Sequence, residues 1–284
     1  MKSIKLTILM CCHNRKNKTL KSLEGIFSQK GLDELELKVV LVDDGSTDGT
    51  SGAVNQNFPS VKVVQGTGKL FWAGGMRLAY QEAEPSDFYL WLNDDTELYT
   101  NALSNLIKTN ELIKGDKILT GAVKDVHSQK VSYGGLRRIS NTRLRFAVLE
   151  PAHINVECDA TNGNCVLIPE IIYKKIGNID ENFVHAHGDI DFGLRARQAG
   201  FKIYLCKHYI GQSETKFLED RVYNGTNSFS QRIRAILSLK ALKPKEWILM
   251  CMRHSHHQVL LSFISPYLRA LNSRPIGFVQ RPKG

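Results

Sequence analysis

Long apolar runs are missing from this sequence of 284 residues: it has no stretch of eighteen or more uncharged apolar residues and predicts no membrane-spanning helix. The first residues combine charge with apolar side chains, but they run into polar residues without a small-residue cleavage site, so we expect no signal peptide. Only 8 prolines occur, and no internal repeat or low-complexity segment is found. These absences, with 42% hydrophobic residues, indicate a globular chain.

Cysteine pairing motifs are also missing, because the six cysteines include no Cys-x-x-Cys pair. Three of them, Cys11, Cys12 and Cys165, lie in segments that read as buried strands, where a reduced thiol behaves as a small hydrophobe. Disulfides are rare in compartments that keep thiols reduced. We therefore expect a reducing, cytoplasmic environment.

The chain is basic, with a formal net charge of +10 and a pI near 9.3. Such a balance suits a polyanionic partner, which could be nucleic acid, an anionic membrane surface or a phosphorylated small molecule. No nucleic-acid-binding motif is present, and the acidic pairs described below would repel phosphates in the absence of a metal ion. We therefore expect no nucleic acid partner.

Strands and helices alternate through the first hundred residues. Buried strands are predicted at Ile4–Cys12, 37–42, 61–64 and Phe88–Leu92, and helices between them at 17–29, 46–58 and 76–83. This alternation predicts βαβ units, an α/β fold class and a mainly parallel central sheet.

The predicted strand Phe88–Leu92 runs directly into Asn93, Asp94 and Asp95 with no turn residue between them. Adjacent carboxylates at the end of a buried strand repel each other unless a cation neutralises them. Mg²⁺ and Mn²⁺ suit carboxylate oxygens and keep positions free for substrate phosphates. The alternative is that the two aspartates only begin a solvated loop or cap a helix.

Polar or glycine-rich segments follow four of the predicted strands. In mainly parallel sheets, ligands bind at the carboxyl ends of the strands, where the strand order reverses. That rule places four pairs at one edge: Asn14 with Arg15, Asp43 with Asp44, Gly74 with Gly75, and Asp94 with Asp95. The glycine pair, in a predicted loop at 67–75, would allow close backbone approach to a phosphate. Together the pairs predict a nucleotide site, with plain turns and helix caps as the alternative.

The second half of the chain is less regular. We predict a strand at 118–123, a basic loop or hairpin at 129–150, a buried strand at 165–168, a helix at 189–199 and a closing strand at 202–206. Beyond about residue 214, helices are predicted at 221–242 and 245–271. They are either a helical pair packed on the main domain or a basic amphipathic surface.

Seven motifs in this order resemble the family 2 glycosyltransferases with the GT-A fold, especially the rhamnosyltransferase-like bacterial members. The resemblance covers roughly residues 4 to 214, and the order and spacing of the motifs carry it. The motifs are Cys-His-Asn-Arg at 12–15, Val-Asp-Asp-Gly-Ser-Thr-Asp at 42–48, Trp-Ala-Gly-Gly at 72–75, Leu-Asn-Asp-Asp at 92–95, Thr-Asn-Gly at 161–163, Gly-Asp-Ile-Asp at 188–191 followed by Leu194 and Arg195, and His-x-x-Gly-x-Ser at 208–213.

The resemblance implies an inverting glycosyltransferase that moves a sugar from a nucleoside diphosphate sugar (a dTDP- or UDP-sugar) to a hydroxyl of a saccharide or lipid-linked acceptor, in cell-surface polysaccharide synthesis. It implies a divalent cation, Mn²⁺ or Mg²⁺, as cofactor. Asp95 and His208 would contact the metal, and Asp189 would be the catalytic base. The implied nucleotide-sugar contacts are Asn14, Arg15, Asp43, Asp44, Trp72, Gly74, Gly75 and Asp94, with Asp43 and Asp44 on the base and ribose.

The chain departs from the family pattern at two positions. Asn93 stands where many members carry Asp, so it supplies no charge to a metal. Gly188 replaces an acidic residue that often precedes the base, which leaves Asp189 as the one carboxylate there. For Asp189 and Asp191 the alternative role is capping the helix and complementing its dipole. The alternative functions are a sugar nucleotidyltransferase and a catalytically weak nucleotide-sugar-binding protein.

Three regions are predicted along the chain. Residues 1–105 form the nucleotide-sugar-binding half, residues 106–214 the acceptor-binding half of the same domain, and residues 215–284 a C-terminal helical extension.

We hypothesise that the helical extension makes a peripheral contact with the inner face of the cell membrane. The lysines and arginines would face the anionic surface, with aromatic residues Trp247, Phe263 and Tyr267 among aliphatic ones. The alternative is that the apolar residues pack on the main domain or on a second subunit. The basic residues in question are Lys240, Lys243, Lys245 and Arg253, and the apolar ones Leu260, Leu261 and Phe263.

Overall fold

The structure, a computed structural model, describes residues 3–214, 228–237, 242–255, 258–271 and 279–280. Its first half alternates strands with helices, as the sequence predicts. These elements are β1 (Ile4–Cys12), α1 (Lys16–Phe27), β2 (Leu35–Asp43), α2 (Thr50–Asn57), β3 (Lys62–Gln65), α3 (Phe71–Glu82) and β4 (Phe88–Leu92).

The second half consists of short strands and a group of helices near its end. The elements are β5 (Thr96–Leu98), α4 (Ala102–Leu112), β6 (Lys117–Asp125), β7 (Val131–Tyr133), β8 (Gly135–Arg138), β9 (Phe146–Val148), β10 (Val156–Cys158), β11 (Ala160–Thr161), β12 (Cys165–Pro169), α5 (Glu170–Ile176), α6 (Gly188–Gln198), β13 (Lys202–Ser213), α7 (Phe229–Ile236), α8 (Pro244–His254), α9 (Val259–Leu271) and β14 (Val279–Gln280).

The central sheet has the strand order β10-β13-β6-β12-β4-β1-β2-β3, with β5 on β13 and β7 on β6. β1 is parallel to both β2 and β4, and β3 is parallel to β2. β12 runs antiparallel between β4 and β6, while β13 is parallel to β6. The predicted α/β class, with a mainly parallel central sheet and helices at the C-terminus, is confirmed.

A second, smaller sheet has the order β11-β8-β9-β14. β8 and β9 are antiparallel neighbours, which confirms the hairpin that the sequence suggested for residues 129–150.

Both faces of the central sheet are buried, which explains the almost continuous apolar character of its strands. Successive side chains of a strand point to opposite faces. Ile8 and Leu90 pack into one hydrophobic cluster, while their neighbours Leu9 and Trp91 pack into the other. A strand in this position therefore has no polar face, and an apolar run without alternation is the pattern that results.

The helices near the C-terminus share the core of the sheet. Trp247, Met250 and Cys251 of α8 are fully buried in the same cluster as Trp91. The indole N–H of Trp247 donates to the carbonyl of Phe263, 3.2 Å away, so α8 and α9 are also joined to each other. Packing on the main domain is therefore the role of α8. The predicted helix at 221–242 lies partly outside the described residues, and Lys240 lies outside them.

In the part of the chain that the structure describes, no helix is both long enough and apolar enough to cross a membrane.

The third helix begins earlier than predicted: α3 starts at Phe71, so Gly74 and Gly75 lie inside a helix and not in a loop. Both glycines are buried. A Cβ on Gly75 would lie 2.8 Å from Cβ of Cys11 in β1 and closer still to its sulfur. The close approach of α3 to β1 thus requires a residue without a side chain, and this packing overrides the low helix propensity of glycine.

Gly75→Ala should lower the free energy of unfolding by roughly 1–3 kcal/mol, the usual cost of forcing an extra methyl group into a packed core. The matched control is Gly52→Ala in α2, where an added Cβ would meet no atom within 4 Å. That control should be neutral or stabilising, by up to about 1 kcal/mol. Urea unfolding monitored by circular dichroism measures both, and equal effects would contradict the packing argument.

Candidate active site

Three neighbouring strands end at one edge of the central sheet. Cys12 pairs with Asp43, and Leu9 pairs with Trp91 in the adjoining strand. Since these pairings are parallel, the chain leaves β1, β2 and β4 at the same edge. The loops after the three strands therefore meet there, as the sequence predicts.

Arg15, in the loop after β1, bridges the two carboxylates that follow β4. Its Nη1 lies 3.0 Å from Oδ1 of Asp94 and 2.9 Å from Oδ2 of Asp95. Both aspartate side chains are largely buried, whereas the arginine is about half-exposed. The guanidinium thus supplies the cation that two adjacent carboxylates require. Burial raises the pKa of Asp94 to about 7, with the Arg15 charge opposing that rise.

The other two carboxylate oxygens of this pair have no partner among the described residues. Oδ2 of Asp94 and Oδ1 of Asp95 are buried and accept no hydrogen bond. Buried acceptors of this kind are costly unless something binds them. Carboxylate oxygens are the ligands that Mg²⁺ and Mn²⁺ prefer, so the donor set fits such a cation.

The two carboxylates fit a metal ion that a substrate also binds. Among the described residues no group of three or more His, Cys, Asp or Glu side chains is arranged to hold a metal ion. Proteins usually bind Mg²⁺ through one or two carboxylates and leave its other positions to phosphate oxygens and water.

Asp43 and Asp44 are buried and bind the protein's own backbone. Oδ1 of Asp43 accepts the N–H of Ser46 at 2.9 Å. The two oxygens of Asp44 accept the N–H groups of Gly68, at 2.7 Å, and Phe71, at 2.9 Å. These bonds fix the loop after β2 and the loop that enters α3. Contacts from the two aspartates to a base or ribose stay a prediction.

Asn14 joins the loop after β1 to the loop after β2. Its side-chain oxygen accepts the N–H of Thr47 at 2.7 Å, and its own N–H donates to the hydroxyl of Ser46 at 2.8 Å. Its φ of 51° is left-handed, which is uncommon for a residue with a side chain but tolerated by asparagine. Phe71 and His187 also have left-handed φ values, of 53° and 68°. Such residues cluster at functional sites, where the surrounding structure enforces them.

Trp72 connects the carboxylate pair to the predicted base. Its indole N–H donates to the side-chain oxygen of Asn93 at 2.9 Å. A Cβ on Gly163 would overlap the six-membered ring of the indole. The N–H of Gly163 in turn donates to Oδ2 of Asp189 at 2.7 Å. Asn93, which departs from the family pattern, thus acts as the acceptor that orients Trp72.

Asp189 lies in the first turn of α6 and is partly exposed. Its second oxygen accepts the N–H of Ile190 at 2.9 Å. Burial raises the pKa of Asp189 above its ordinary value, against the effect of the backbone donors. A carboxylate with a raised pKa is a stronger base, and its partial exposure leaves it open to a substrate hydroxyl.

Asp191 lies in the first turn of α6, where the alternative considered from the sequence has it complement the helix dipole, but its carboxylate does not cap the helix. It is fully buried and accepts hydrogen bonds from Arg195, Arg253 and His254. The residue at the N-cap position of α6 is His187.

His208 does not reach the carboxylate pair. β13 continues through Ser213, beyond the predicted end at Cys206, because its last residues pair with β5. Ser213 is opposite Thr96, the residue after Asp95. His208 is exposed and lies five residues earlier in the strand, in a stretch where the pairing of β13 with β6 is irregular. The structure thus separates the two residues that were expected to share a metal.

Two residues near the site have contacts that the sequence did not indicate. Phe71 has an exposed ring in edge contact with His185, with centroids 6.2 Å apart, and its backbone is held by Asp44. Nothing in a sequence indicates an aromatic residue with left-handed φ. Asn93 was noted only as a missing charge, and its role as the acceptor of Trp72 depends on tertiary contacts.

Comparison with known proteins gives one family match. The family model described as glycosyl transferase family 2 matches residues 7–161, which is more than half of the chain. No curated protein sequence matches the chain.

Solved structures share the fold. The mannosyltransferase PcManGT from Pyrobaculum calidifontis, in complex with GDP-Man and Mn²⁺, is 18% identical with a TM-score of 0.57, over 95% of this chain and 73% of that one. S. aureus TarS 1–349 is 16% identical with a TM-score of 0.57, over 95% and 80%. GalNAc-T7 with UDP, GalNAc and Mn²⁺ is 11% identical with a TM-score of 0.61, over 97% and 52%. At these identities the likeness shows the fold alone.

Arg15→Ala should tighten Mn²⁺ binding to the nucleotide-free protein roughly fivefold, because removing a nearby like charge relieves ~1 kcal/mol and frees two carboxylate oxygens. Asp95→Asn should weaken the same binding. Calorimetric titration with Mn²⁺ measures both effects. Lys18→Ala, which removes an exposed cation of α1 that pairs with Glu214, is the control and should change little. Weaker Mn²⁺ binding by Arg15→Ala would show that the guanidinium does not compete with the metal.

Proposed function

We propose that this chain, which belongs to glycosyl transferase family 2 and has the GT-A fold, transfers a sugar from a nucleoside diphosphate sugar to a hydroxyl group of an acceptor, with inversion at the anomeric carbon. One observation carries the proposal. Asp94 and Asp95, with two unpaired buried oxygens, and the partly exposed Asp189 are linked through Asn93, Trp72 and Gly163. Sugar transfer needs the metal that assists the leaving group to lie near the base that deprotonates the acceptor.

The donor would lie along the loops that follow β1 and β2. Asn14 and Arg15 face this edge, and Asp43 and Asp44 shape its walls by holding the loops in place. Trp72 would form the surface between the donor and the base. Gly74 and Gly75 take part only through α3, since they are buried inside it. Two of the similar structures hold a nucleotide or nucleotide sugar, which supports this placement.

A divalent cation at Asp94 and Asp95, Mn²⁺ or Mg²⁺, would stabilise the negative charge that builds on the departing diphosphate. The Mn²⁺ bound in PcManGT and GalNAc-T7 supports this assignment. Arg15 binds the other oxygen of each carboxylate. Its guanidinium then lies beside the diphosphate and can bind the phosphate oxygens, which arginine does well.

Asp189 would remove the proton from the acceptor hydroxyl as that oxygen attacks the anomeric carbon. The N–H of Gly163 holds Oδ2 of Asp189 at 2.7 Å and so fixes the direction in which the carboxylate points. A single displacement from the face opposite the leaving group inverts the anomeric configuration, and no covalent enzyme intermediate is needed. The acceptor is proposed to be a saccharide or a lipid-linked molecule in cell-surface polysaccharide synthesis.

The surface of α9 supports the proposal of a lipid-linked acceptor. Phe263 and Tyr267 pack against the core, while a neighbouring face of the helix is apolar and exposed. We call this face the α9 stripe. It consists of Leu260, Leu261, Ile264 and Leu268. An exposed apolar stripe on a basic protein suits the interface of an anionic membrane, and we propose a peripheral contact there.

Two of the residues that the sequence predicted for this contact are engaged elsewhere in the structure. Trp247 is fully buried, and Arg253 is bound to Asp180 and Asp191. Neither is available to a membrane. Leu260 and Leu261, which the sequence assigned more readily to packing, are exposed.

Asp189→Asn should retain Mn²⁺-dependent nucleotide binding and lose about two to four orders of magnitude in turnover, the usual contribution of a positioned base. Release of nucleoside diphosphate from UDP-, dTDP- and GDP-sugars measures turnover, and NMR of the product reports the anomer. Asp116→Asn, an exposed carboxylate just before β6 and at the opposite edge of the sheet, is the control. Near-full activity of Asp189→Asn, or retained configuration, would defeat the assignment.

The membrane contact predicts that the full chain co-sediments with anionic phosphatidylglycerol vesicles and is released by salt, since each basic side chain near such a surface contributes about 1 kcal/mol. Leu260→Glu with Ile264→Glu should abolish the binding, because both lie on the α9 stripe. Leu112→Glu, at a residue of α4 that is 78% exposed, is the matched control. Binding that survives the double substitution, or that is equal on neutral vesicles, would rule the contact out.

A further inference from the structure

One arginine of α8 binds both ends of the segment that carries Asp189. Nη2 of Arg253 lies 2.6 Å from Oδ2 of Asp180, and Nη1 lies 3.1 Å from Oδ1 of Asp191. Asp180 precedes Asp189 by nine residues, and Asp191 follows it by two. A carboxylate therefore lies on each side of the proposed base in the sequence, and the two carboxylates bind the same guanidinium.

The same helix touches this segment at two further points. His254, the last residue of α8, contacts Oδ1 of Asp191 through Nε2 at 2.9 Å. The ring of Trp247 lies 5.6 Å from that of His187, which is two residues before Asp189. Contacts from α8 thus flank Asp189 on both sides.

Two other arginines hold the backbone of the loop that leads to Asp189. Arg77 of α3 donates to the carbonyls of Asp180 and Phe183, at 3.1 and 3.0 Å. Arg195 of α6 donates to the carbonyls of Ile176 and Asn178, at 2.6 and 2.9 Å. These bonds fix the start of the loop from α3 and α6. Arg253 joins this loop to α6 by binding one side chain on each, Asp180 on the loop and Asp191 on α6.

We propose that Arg253 is a positioning residue for Asp189, and that α8 is part of the catalytic unit and not of a separable C-terminal extension. The proposal rests on the proposed function in naming Asp189 as the base. Arg253 touches neither substrate nor Asp189 itself. It acts by fixing the relative position of the loop at Asp180 and the helix at Asp191, and hence the position of the carboxylate between them.

The geometry requires arginine in particular. A planar guanidinium can reach two carboxylates with two nitrogens at once, whereas the ammonium group of lysine is a single compact charge. The substitution Arg253→Lys would keep the charge but would hold only one of the two partners at the observed distances. It therefore separates the positioning effect from the charge.

The docking of α8 does not depend on Arg253. Trp247, Met250 and Cys251 are fully buried in the main cluster, so they hold the helix in place by apolar contact. Asp191 would still have Arg195 and His254 as partners. Variants of Arg253 should therefore fold, in contrast to variants of Asp191, which would remove the fully buried acceptor that Arg195, Arg253 and His254 share.

The control is Arg197, which lies on α6. It lies 3.6 Å from Glu157 and 3.4 Å from Asp159, and its side chain is 35% exposed, against 29% for Arg253. It is thus an arginine with two carboxylate partners and similar burial that does not touch the segment around Asp189.

The experiment compares Arg253→Lys, Arg253→Ala and Arg197→Lys with the unmodified chain. Hydrogen–deuterium exchange measures the stability of the backbone at 180–190. Steady-state hydrolysis of UDP-, dTDP- and GDP-sugars with Mn²⁺ gives kcat and the donor KM. For Arg253→Ala, the assay is repeated with added ethylguanidinium, which can occupy the space of the lost side chain.

We expect faster exchange at 180–190 and a kcat about tenfold to a hundredfold lower in both Arg253 variants, the effect of a base displaced by roughly 1 Å, with the donor KM unchanged. Ethylguanidinium should restore part of the activity of Arg253→Ala. Arg197→Lys should match the unmodified chain in exchange at 180–190, in kcat and in KM.

Unchanged exchange at 180–190 in Arg253→Lys would overturn the proposal. A loss of donor affinity as large as the loss in kcat would also overturn it, because that result would mean that the whole site has loosened. If the unmodified chain consumes no sugar nucleotide, the proposed function fails. The exchange comparison with Arg197→Lys then still decides whether Arg253 fixes the segment.

Discussion

The burial of two neighbouring carboxylates at the end of β4 is the constraint on which the site depends. β4 is packed on both faces, so the residues that follow it start from the interior of the molecule. Asp94 and Asp95 can stay ionised there only beside a cation. Arg15 can provide one because β1, which precedes it, is the direct neighbour of β4 in the sheet. Strand order thus decides which side chain meets the pair.

A second buried carboxylate shows what distinguishes a reactive cluster from a structural one. Asp191 uses both of its oxygens: Oδ1 contacts Arg253 and His254, and Oδ2 contacts Arg195. Asp94 and Asp95 each keep one oxygen without a partner among the described residues. The first cluster has a partner for each oxygen and holds elements together, whereas the second can still bind a cation. Both have arginine beside aspartate, and the number of free oxygens separates their roles.

The sequence predicts those features that depend on local pattern. The strands are readable because burial on both faces leaves continuous apolar runs, and the aspartates after β4 are readable because they end such a run. Tertiary contacts decided the rest. Gly75 lies in a helix because Cys11 packs against it, and His208 lies away from Asp95 because β5 lengthens β13. The partners of Arg253 are 62 and 73 residues away in the sequence, beyond any local pattern.

The shared core of α8 and the central sheet has a consequence for biosynthesis. α8 ends at His254, so its contacts with Asp180 and Asp191 cannot form on the ribosome until at least 254 residues have been made and have left the exit tunnel. Strands β1 to β4 can pair long before then, since their contacts are comparatively local. The nascent chain would therefore form the edge of the sheet that carries Asp94 and Asp95 early, while the segment around Asp189 reaches its final geometry only after α8 has been made.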